Sequence, residues 1–440
     1  MNRKPSHRTL LLLILAVGLG VRLLLAPFTG HPFDMYVWHQ AVAQDIAGQG
    51  PVYATSPMMS YTLYVVSFPY RILRDVFGVS PMPVSSLSVE MRSAIGWTTP
   101  PGATVSVVTD PLFNMLVKLP FIISDVVAGF LLYRLVSRFW GMNKGLLAFS
   151  LWFLNPMLIW VSAVWGMFDS LPALFSVLAI YFIETKRSLW AGTSLAVATG
   201  YKLYPLLFTL PILLHLCKNG FSFDFLRRAT ISFVLVSVLI FTPFFTKTWE
   251  AATGIVSPGA DIANSAFGLT YWSLAPLVTS NVAGVSLASN FLFLALISAA
   301  ILTLTRRGLV GGTKDLQYGV LLMLSTIFLS RNVIPEQFFV WLLPSLVMLT
   351  FVGLPQRYLW TLSVLSLFYS WANSLFTAFA APMLVLGSEI YLNSLASAWA
   401  AFSGLRLLNM AVLGTAFSIV LTFVVAGKRW MQYIASVLRW

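Results

Sequence analysis

The stretch Gly30-His31-Pro32-Phe33-Asp34-Met35-Tyr36-Val37-Trp38 places one carboxylate among aromatic rings, directly after the first apolar run. Asp34 is the only acid in the first 44 residues. A carboxylate is ionised at neutral pH and can take the proton of a hydroxyl, which is the work of a general base. A carboxylate near a helix start can also do no more than cap it. The scarcity of acids in this loop and its aromatic surroundings favour the base.

Other ionisable groups sit where apolar runs begin, end or break. Trp165-Gly166-Met167-Phe168-Asp169-Ser170 reads as a tight turn opening a span, so Asp169 either caps that helix or holds an acceptor or a metal. Gly200-Tyr201-Lys202-Leu203-Tyr204-Pro205 breaks a helix, which membranes tolerate where backbone lines a cavity. Lys202 there suits a phosphate, against the alternative of a lysine snorkelling to the headgroups. In the turn from Ser330 to Phe339, Arg331 and Glu336 either pair with each other or hold a phosphate between them. Arg22 lies a turn from the end of the first span and is a third phosphate candidate, or a snorkelling arginine. Trp38 and Tyr204 supply rings against which a sugar can pack. Lys118 and Asp125, seven residues apart on one helical face, read either as functional, like other ionisable groups within spans, or as a buried structural pair. His31 and His39 flank Asp34, but no His, Cys, Asp or Glu spacing matches a zinc site. No Ser-His-Asp arrangement stands out. The single cysteine, Cys217, excludes an internal disulfide and a thiolate cluster.

The elements that must position these groups are membrane helices. The chain has 440 residues, 58% hydrophobic and only 9% charged, where a soluble domain carries roughly 25% charged residues. About twelve spans are predicted, near 9–27, 113–137, 146–163, 168–184, 189–201, 203–217, 229–246, 286–305, 315–330, 337–353, 358–375 and 407–427. The net charge of +13 sits between spans and not in a nucleic-acid patch. With the N-terminus inside, Arg134, Arg138, Lys144, Lys186, Arg187, Lys218, Arg227, Arg228, Arg306, Arg307, Lys314, Arg357, Lys428 and Arg429 all fall on the inner side. Asp34, Asp169, Lys202, Arg331 and Glu336 then share the outer side. Residues 28–111 form one long outer loop with interfacial helices near 35–48 and 58–76 and an ordered excursion over 78–110. Outer loops 247–285 and 376–405 follow, the latter with a half-helix, and 429–440 reads as an inner interfacial helix. No soluble domain, fixed-period repeat or phosphate-cradling glycine loop is present.

Four stretches together resemble the GT-C superfamily, and within it the catalytic subunit of GPI mannosyltransferase I and its prokaryotic relatives. They are Asp34-Met35-Tyr36-Val37-Trp38 with Gly50-Pro51-Val52-Tyr53; Lys118-Leu119-Pro120 to Asp125 with Phe130 to Arg134; Trp152-Phe153-Leu154-Asn155-Pro156 through Asp169-Ser170 to Lys202-Leu203-Tyr204-Pro205; and Glu336-Gln337-Phe338-Phe339-Val340-Trp341. The resemblance covers most of residues 9–350. It implies an all-α polytopic GT-C fold, with a shared transmembrane module over 1–246 and a variable one over 247–440. It also implies a lipid-phosphate sugar donor, inversion at the anomeric carbon, an active site on the outer face and a first-loop acid as base, which maps onto Asp34. The family's Asp-x-Asp reads Pro32-Phe33-Asp34 here, so its first acid is missing, and no cofactor or metal is called for when Lys and Arg neutralise the leaving phosphate.

The function expected is transfer of a sugar, mannose, from a polyprenyl (dolichyl) phosphate to a lipid-anchored glycan. Asp34 is the base, and Lys202, Arg331 and Arg22 hold the phosphate. Asp169, Glu336, Trp38 and Tyr204 hold the acceptor or the sugar. The partners are that donor, a lipid-linked acceptor and membrane lipids, with no nucleic acid; an accessory subunit is left open. The expected membrane is a prokaryotic cell membrane, or else that of the endoplasmic reticulum. A transporter or lipid flippase would share the broken helix and the intramembrane charges. Against it, the chain lacks two-fold repeats and its charges gather at one face. A catalytically inert member of the same fold is the other rival.

Overall fold

The structure, a computed structural model, describes residues 6–78, 84–86, 106–256, 267–279, 282–306, 313–379 and 403–437. Nearly all of these are helical. The first helix, α1 (His7–Leu25), is followed by α2 (Pro32–Ile46) and α3 (Pro57–Phe77), then by α4 (Pro111–Trp140), α5 (Met142–Phe153) and α6 (Pro156–Trp165). Next come α7 (Ser170–Glu184), α8 (Ser188–Tyr201), a tight helical turn over Tyr204–Phe208, α9 (Thr209–Lys218), α10 (Phe223–Phe241) and α11 (Phe245–Val256). The last five are α12 (Val282–Arg306), α13 (Thr313–Ser330), α14 (Phe339–Thr350), α15 (Gln356–Ala378) and α16 (Ser403–Val437).

Two pairs of short strands complete the described chain. In the first outer loop β1 (Val84–Ser86) pairs antiparallel with β2 (Ser106–Val108), which closes the base of the expected excursion; the segment between them lies outside the described residues. Further on, β3 (Phe267–Gly268) runs parallel to β4 (Val333–Ile334). The half-helix expected within 376–405 falls largely outside the described residues. The tail expected as a separate interfacial helix instead prolongs α16 as far as Val437.

Among the described residues, five helices are long and apolar enough to cross a membrane, and α5 with α6 makes a sixth as a pair bent by 45°. Asn155 and Pro156 cause that bend. Proline cannot donate the backbone hydrogen bond that would continue α5, and Asn155 caps the new helix through Met157 and Leu158 N–H. Four expected spans are shorter apolar helices, at Ser170–Glu184, Tyr204–Lys218, Asp315–Ser330 and Glu336–Thr350. One continuous core joins the first and second halves of the chain, from Met35 through Trp152 and Phe339 to Val424.

The helix ends sort into two sets. At one end Asn114 of α4 reaches the Pro27 carbonyl beyond α1, and Lys202 beyond α8 reaches Asp169 before α7. At the other, His7 meets Asn143, Arg138 meets the Glu184 carbonyl and His215 faces Glu184. The cations Arg134, Arg138, Lys144, Lys186, Arg187 and Lys218 belong to this second end. Helix α3 lies across the first end. Its Thr62 bonds Tyr201 at the close of α8, and its Tyr70 bonds Asp110 at the opening of α4. One face, with Met59, Leu63, Val66 and Tyr70, is buried, while Val65, Phe68, Ile72 and Val76 stay exposed.

Candidate functional site

Asp34 occupies the first turn of α2, which Pro32 opens with its φ already helical. The carboxylate does not cap a backbone N–H. Its Oδ2 accepts the Trp165 indole N–H at 2.6 Å and lies 3.0 Å from His31 Nδ1. His31 is buried, its ring stacked on that of Trp165 at 4.9 Å, and its N–H donates to the Trp165 carbonyl at 2.9 Å. Trp165 arrives there because Trp160–Trp165 winds as wider π-helical turns with hydrogen bonds reaching back five residues. The chain then reverses at Gly166, whose φ of +89° favours glycine. A Cβ on Gly166 would stand 2.5 Å from Met35 Sδ and 3.0 Å from Lys118 Cε, so any other residue would also have to displace the Met35 side chain. The Gly166 carbonyl takes the Trp38 indole N–H at 3.0 Å, which docks α2 onto the turn.

Asp169 follows in the same turn. Its Oδ1 accepts from Lys202 Nζ at 2.8 Å and from Trp341 Nε1 at 2.7 Å, while its buried Oδ2 has no hydrogen-bond partner. Lys202 stands where α8 ends and the backbone becomes extended, as its Gly-Tyr-Lys-x-x-Pro context suggests. Its ammonium sits over the rings of Phe338 (4.5 Å), Phe168 (4.9 Å) and Trp341 (5.2 Å). A cation held by aromatic faces and one carboxylate is well compensated although largely shielded from water.

Glu336, buried between β4 and α14, accepts the Asn373 amide at 2.9 Å. The charge of Asp34 acts on both Asp169 and Glu336, and His31 acts on Glu336. The three carboxylates, one lysine and one histidine therefore form one electrostatic cluster at one end of the bundle. Among the described residues no group of three His, Cys, Asp or Glu side chains is arranged to hold a metal ion.

Several residues expected in the site are elsewhere or otherwise engaged. Arg22 is fully buried in an ion pair with Asp125 at 2.9 Å, with its guanidinium over Phe153, so it does not stand ready for a phosphate. Asp125 therefore pairs with Arg22 and not with Lys118. Lys118 donates to the carbonyls of Ala26 (3.0 Å), Thr29 (2.5 Å) and Val164 (3.3 Å). Arg331 does not pair with Glu336; its guanidinium bonds Asn290 at 2.5 Å and lies over Phe293, on α12. No described contact joins it to Lys202 or Asp34. Trp38 and Tyr204 are both buried, the latter stacked on Trp341 at 4.1 Å. Trp165, Trp341, Phe168, Phe338 and Asn373 do contact the cluster and were not singled out. Their signal was faint: Trp165 and Phe168 sit in the Asp169 turn, and Phe338 and Trp341 in the Glu336 stretch, but aromatics are common throughout this chain.

At the far end of α2, Asp45 accepts the Val52 N–H at 3.1 Å and leaves Oδ2 buried without a partner. Burial pushes its carboxyl up to about 6, against the opposing effect of the Val52 hydrogen bond.

A family model described as GPI transamidase subunit PIG-U matches residues 75–256. The chain is also similar to proteins named GPI mannosyltransferase 1. It is 28% identical over 276 residues to the one from Schizosaccharomyces pombe, covering 56% of this chain and 70% of that protein. It is 28% identical over 140 residues to the one from Debaryomyces hansenii, covering 29% of this chain and 34% of that protein, so only about a third of the latter's length is spanned. Among solved structures, ArnT from Cupriavidus metallidurans bound to undecaprenyl phosphate superposes with a TM-score of 0.45 at 15% identity, over 95% of this chain and 77% of that one.

Proposed function

We propose that this integral membrane protein is an inverting glycosyltransferase that moves mannose from a polyprenyl (dolichyl) phosphate to a hydroxyl of a lipid-linked glycan. The observation that carries the reading is Asp34. Its carboxylate is held from one side by an indole, is partly open on the other, and lies in one electrostatic cluster with Asp169, Glu336 and Lys202. Similarity to the GPI mannosyltransferase 1 proteins supports the sugar and the reaction class.

In this reading Asp34 takes the acceptor's proton as its oxygen attacks the anomeric carbon from the side opposite the phosphate. Lys202 is the cation of the cluster and stabilises charge developing on the departing phosphate, where a fixed ammonium acts strongly. Asp169 and Trp341 hold Lys202, so Asp169 acts through the lysine. Arg22 has no part, because it is fully buried with Asp125, whereas Lys202, though paired with Asp169, keeps part of its side chain exposed. Arg331 stands apart with Asn290, where it could meet only a more distant section of a bound lipid. Neutralisation by Lys202 makes no demand for a metal. The site faces outside or into the lumen, because the described inner-loop cations lie at the opposite end of the helices. The matched relatives are fungal and lend no support to a prokaryotic membrane.

The test is turnover: purified protein in vesicles, radiolabelled dolichyl phosphate mannose as donor and a glycolipid extract as acceptor. Labelled glycolipid supports the proposal. Movement of donor across the bilayer without transfer would replace it with a flippase. A second reading, a non-catalytic subunit of a larger assembly, is favoured by the transamidase-subunit match. That match leaves out both Asp34 and Glu336, so it bears on the scaffold and not on the proposed base.

A further inference from the structure

Both contacts of the Asp34 carboxylate fall on one oxygen. Oδ2 accepts from Trp165 Nε1 and faces His31 Nδ1. Oδ1 meets no hydrogen-bond donor among the described residues, and the side chain keeps 20% of its surface open. His31 is itself fixed, by the ring stack and by its own backbone N–H on the Trp165 carbonyl. The indole donor and the His31 ring are therefore one unit, carried by the π-helical turn of α6 and the residue just before α2.

We propose that His31 and Trp165 are positioning residues that hold Oδ2, Trp165 by its indole N–H and His31 by its 3.0 Å contact, and leave Oδ1 as the atom that receives the acceptor's proton. The inference rests on the reading of Asp34 as base. In the step, the acceptor O–H proton passes to Oδ1 and the oxygen's electron pair forms the new bond to the anomeric carbon. The bond from that carbon to the phosphate oxygen breaks, and its electron pair leaves with the phosphate. The carboxylic acid so formed carries its proton on Oδ1, and Oδ2 still accepts the Trp165 N–H with His31 Nδ1 beside it. Neither ring has to move as the charge shifts, which is the advantage of a preorganised site. Without them the carboxyl group can rotate about its Cβ–Cγ bond, and a misplaced base loses rate and not affinity.

Three variants separate the polar nitrogens from the rings. His31→Phe keeps a ring on Trp165 but has no nitrogen beside Oδ2, and Trp165→Phe keeps a ring beside His31 but has no indole N–H. His31→Asn returns a polar nitrogen close to the Nδ1 position. Each is assayed with radiolabelled dolichyl phosphate mannose and a glycolipid extract, and its melting temperature is recorded. The two Phe variants are expected to lose about tenfold to a hundredfold in kcat, with the acceptor KM within about twofold of the wild type, as expected for a contact that orients and does not bind. His31→Asn is expected to recover most of the loss of His31→Phe. Wild-type kcat in both Phe variants overturns the proposal, as does a His31→Asn that is as slow as His31→Phe while melting like the wild type. Should His31→Phe fail to accumulate, Trp165→Phe decides. Full activity of Asp34→Asn would remove the base reading itself, whereas an inactive Asp34→Asn beside fully active Phe variants removes only the division of labour between the oxygens.

Discussion

Asp34→Asn keeps the size of the side chain and can still offer an oxygen to the Trp165 indole, but it cannot take a proton. Transfer is therefore expected to fall by about a hundredfold to ten-thousandfold, the usual span for a general base, in protein that melts like the wild type. Loss of the folded protein in place of rate would assign Asp34 a structural task. Asp45, a helix length away, makes a prediction of a different kind. Its folded-state pKa, pushed up to about 6, lies above the ordinary value of 3.8. The folded form thus holds the proton more tightly than the unfolded one, so the stability this group contributes is fully present below pH 3.8 and is lost as the pH rises through about 6. The stability of the wild type relative to Asp45→Asn, which keeps the acceptor for Val52 but does not titrate, should fall as the pH rises between those limits, measured as the difference in melting temperature of the two proteins in detergent; a difference that does not change with pH would refute the assignment.

Between elements, the contact with most at stake is Arg22 with Asp125, which joins α1 to α4 with neither side chain exposed. Asp125 also accepts Ser162 Oγ of α6 at 2.7 Å, and its carbonyl takes the Trp152 indole of α5 at 2.8 Å. Removing one partner leaves a charge buried without compensation, and Arg22→Leu alone should cost about 3–5 kcal/mol. Removing both charges in Arg22→Leu with Asp125→Leu should cost much less than the sum of the single changes, because no orphaned charge remains. Thermal unfolding in detergent of the four proteins of this cycle measures the coupling. Additive losses would mean that the pair does not act as a unit.

For the whole molecule, the two sets of helix ends predict opposite exposure. Cys217 is the single cysteine and is exposed, so it is first changed to serine. In that background a membrane-impermeant thiol reagent on sealed vesicles should reach Gln49→Cys, beyond α2, from one face and Lys144→Cys, at the start of α5, from the other. Labelling of both from the same face would break the proposed sidedness. This much of the architecture was legible because cations and interrupted apolar runs are sparse, strong signals in a chain with few charges. Asp34 and Lys202 stood out for that reason. Their partners did not, since an indole that grips a carboxylate looks in the sequence like any other tryptophan. The pairing of Asp125 was misread because helical spacing sets Lys118 on its face but says nothing of what the neighbouring helix presents. The packing brought Arg22 to Asp125, and it brought Lys118 to carbonyls left over where α1 ends and where the π-helical turns run out.

Those wide turns over Trp160–Trp165 accommodate more chain than a regular helix of the same rise would hold. A single-residue deletion there would restore ordinary α-helical hydrogen bonding and would be welcome to the helix. It would also rotate all that follows by about 100°, the angle between successive helical residues, carrying Trp165 off Asp34 or Asp169 off Lys202. In evolutionary terms the segment is exposed to a conflict of interest, in which the local change that most improves the backbone dismantles the cluster at its end. A stabilised version of this protein, whether bred or designed, should therefore be sought anywhere but in those six residues.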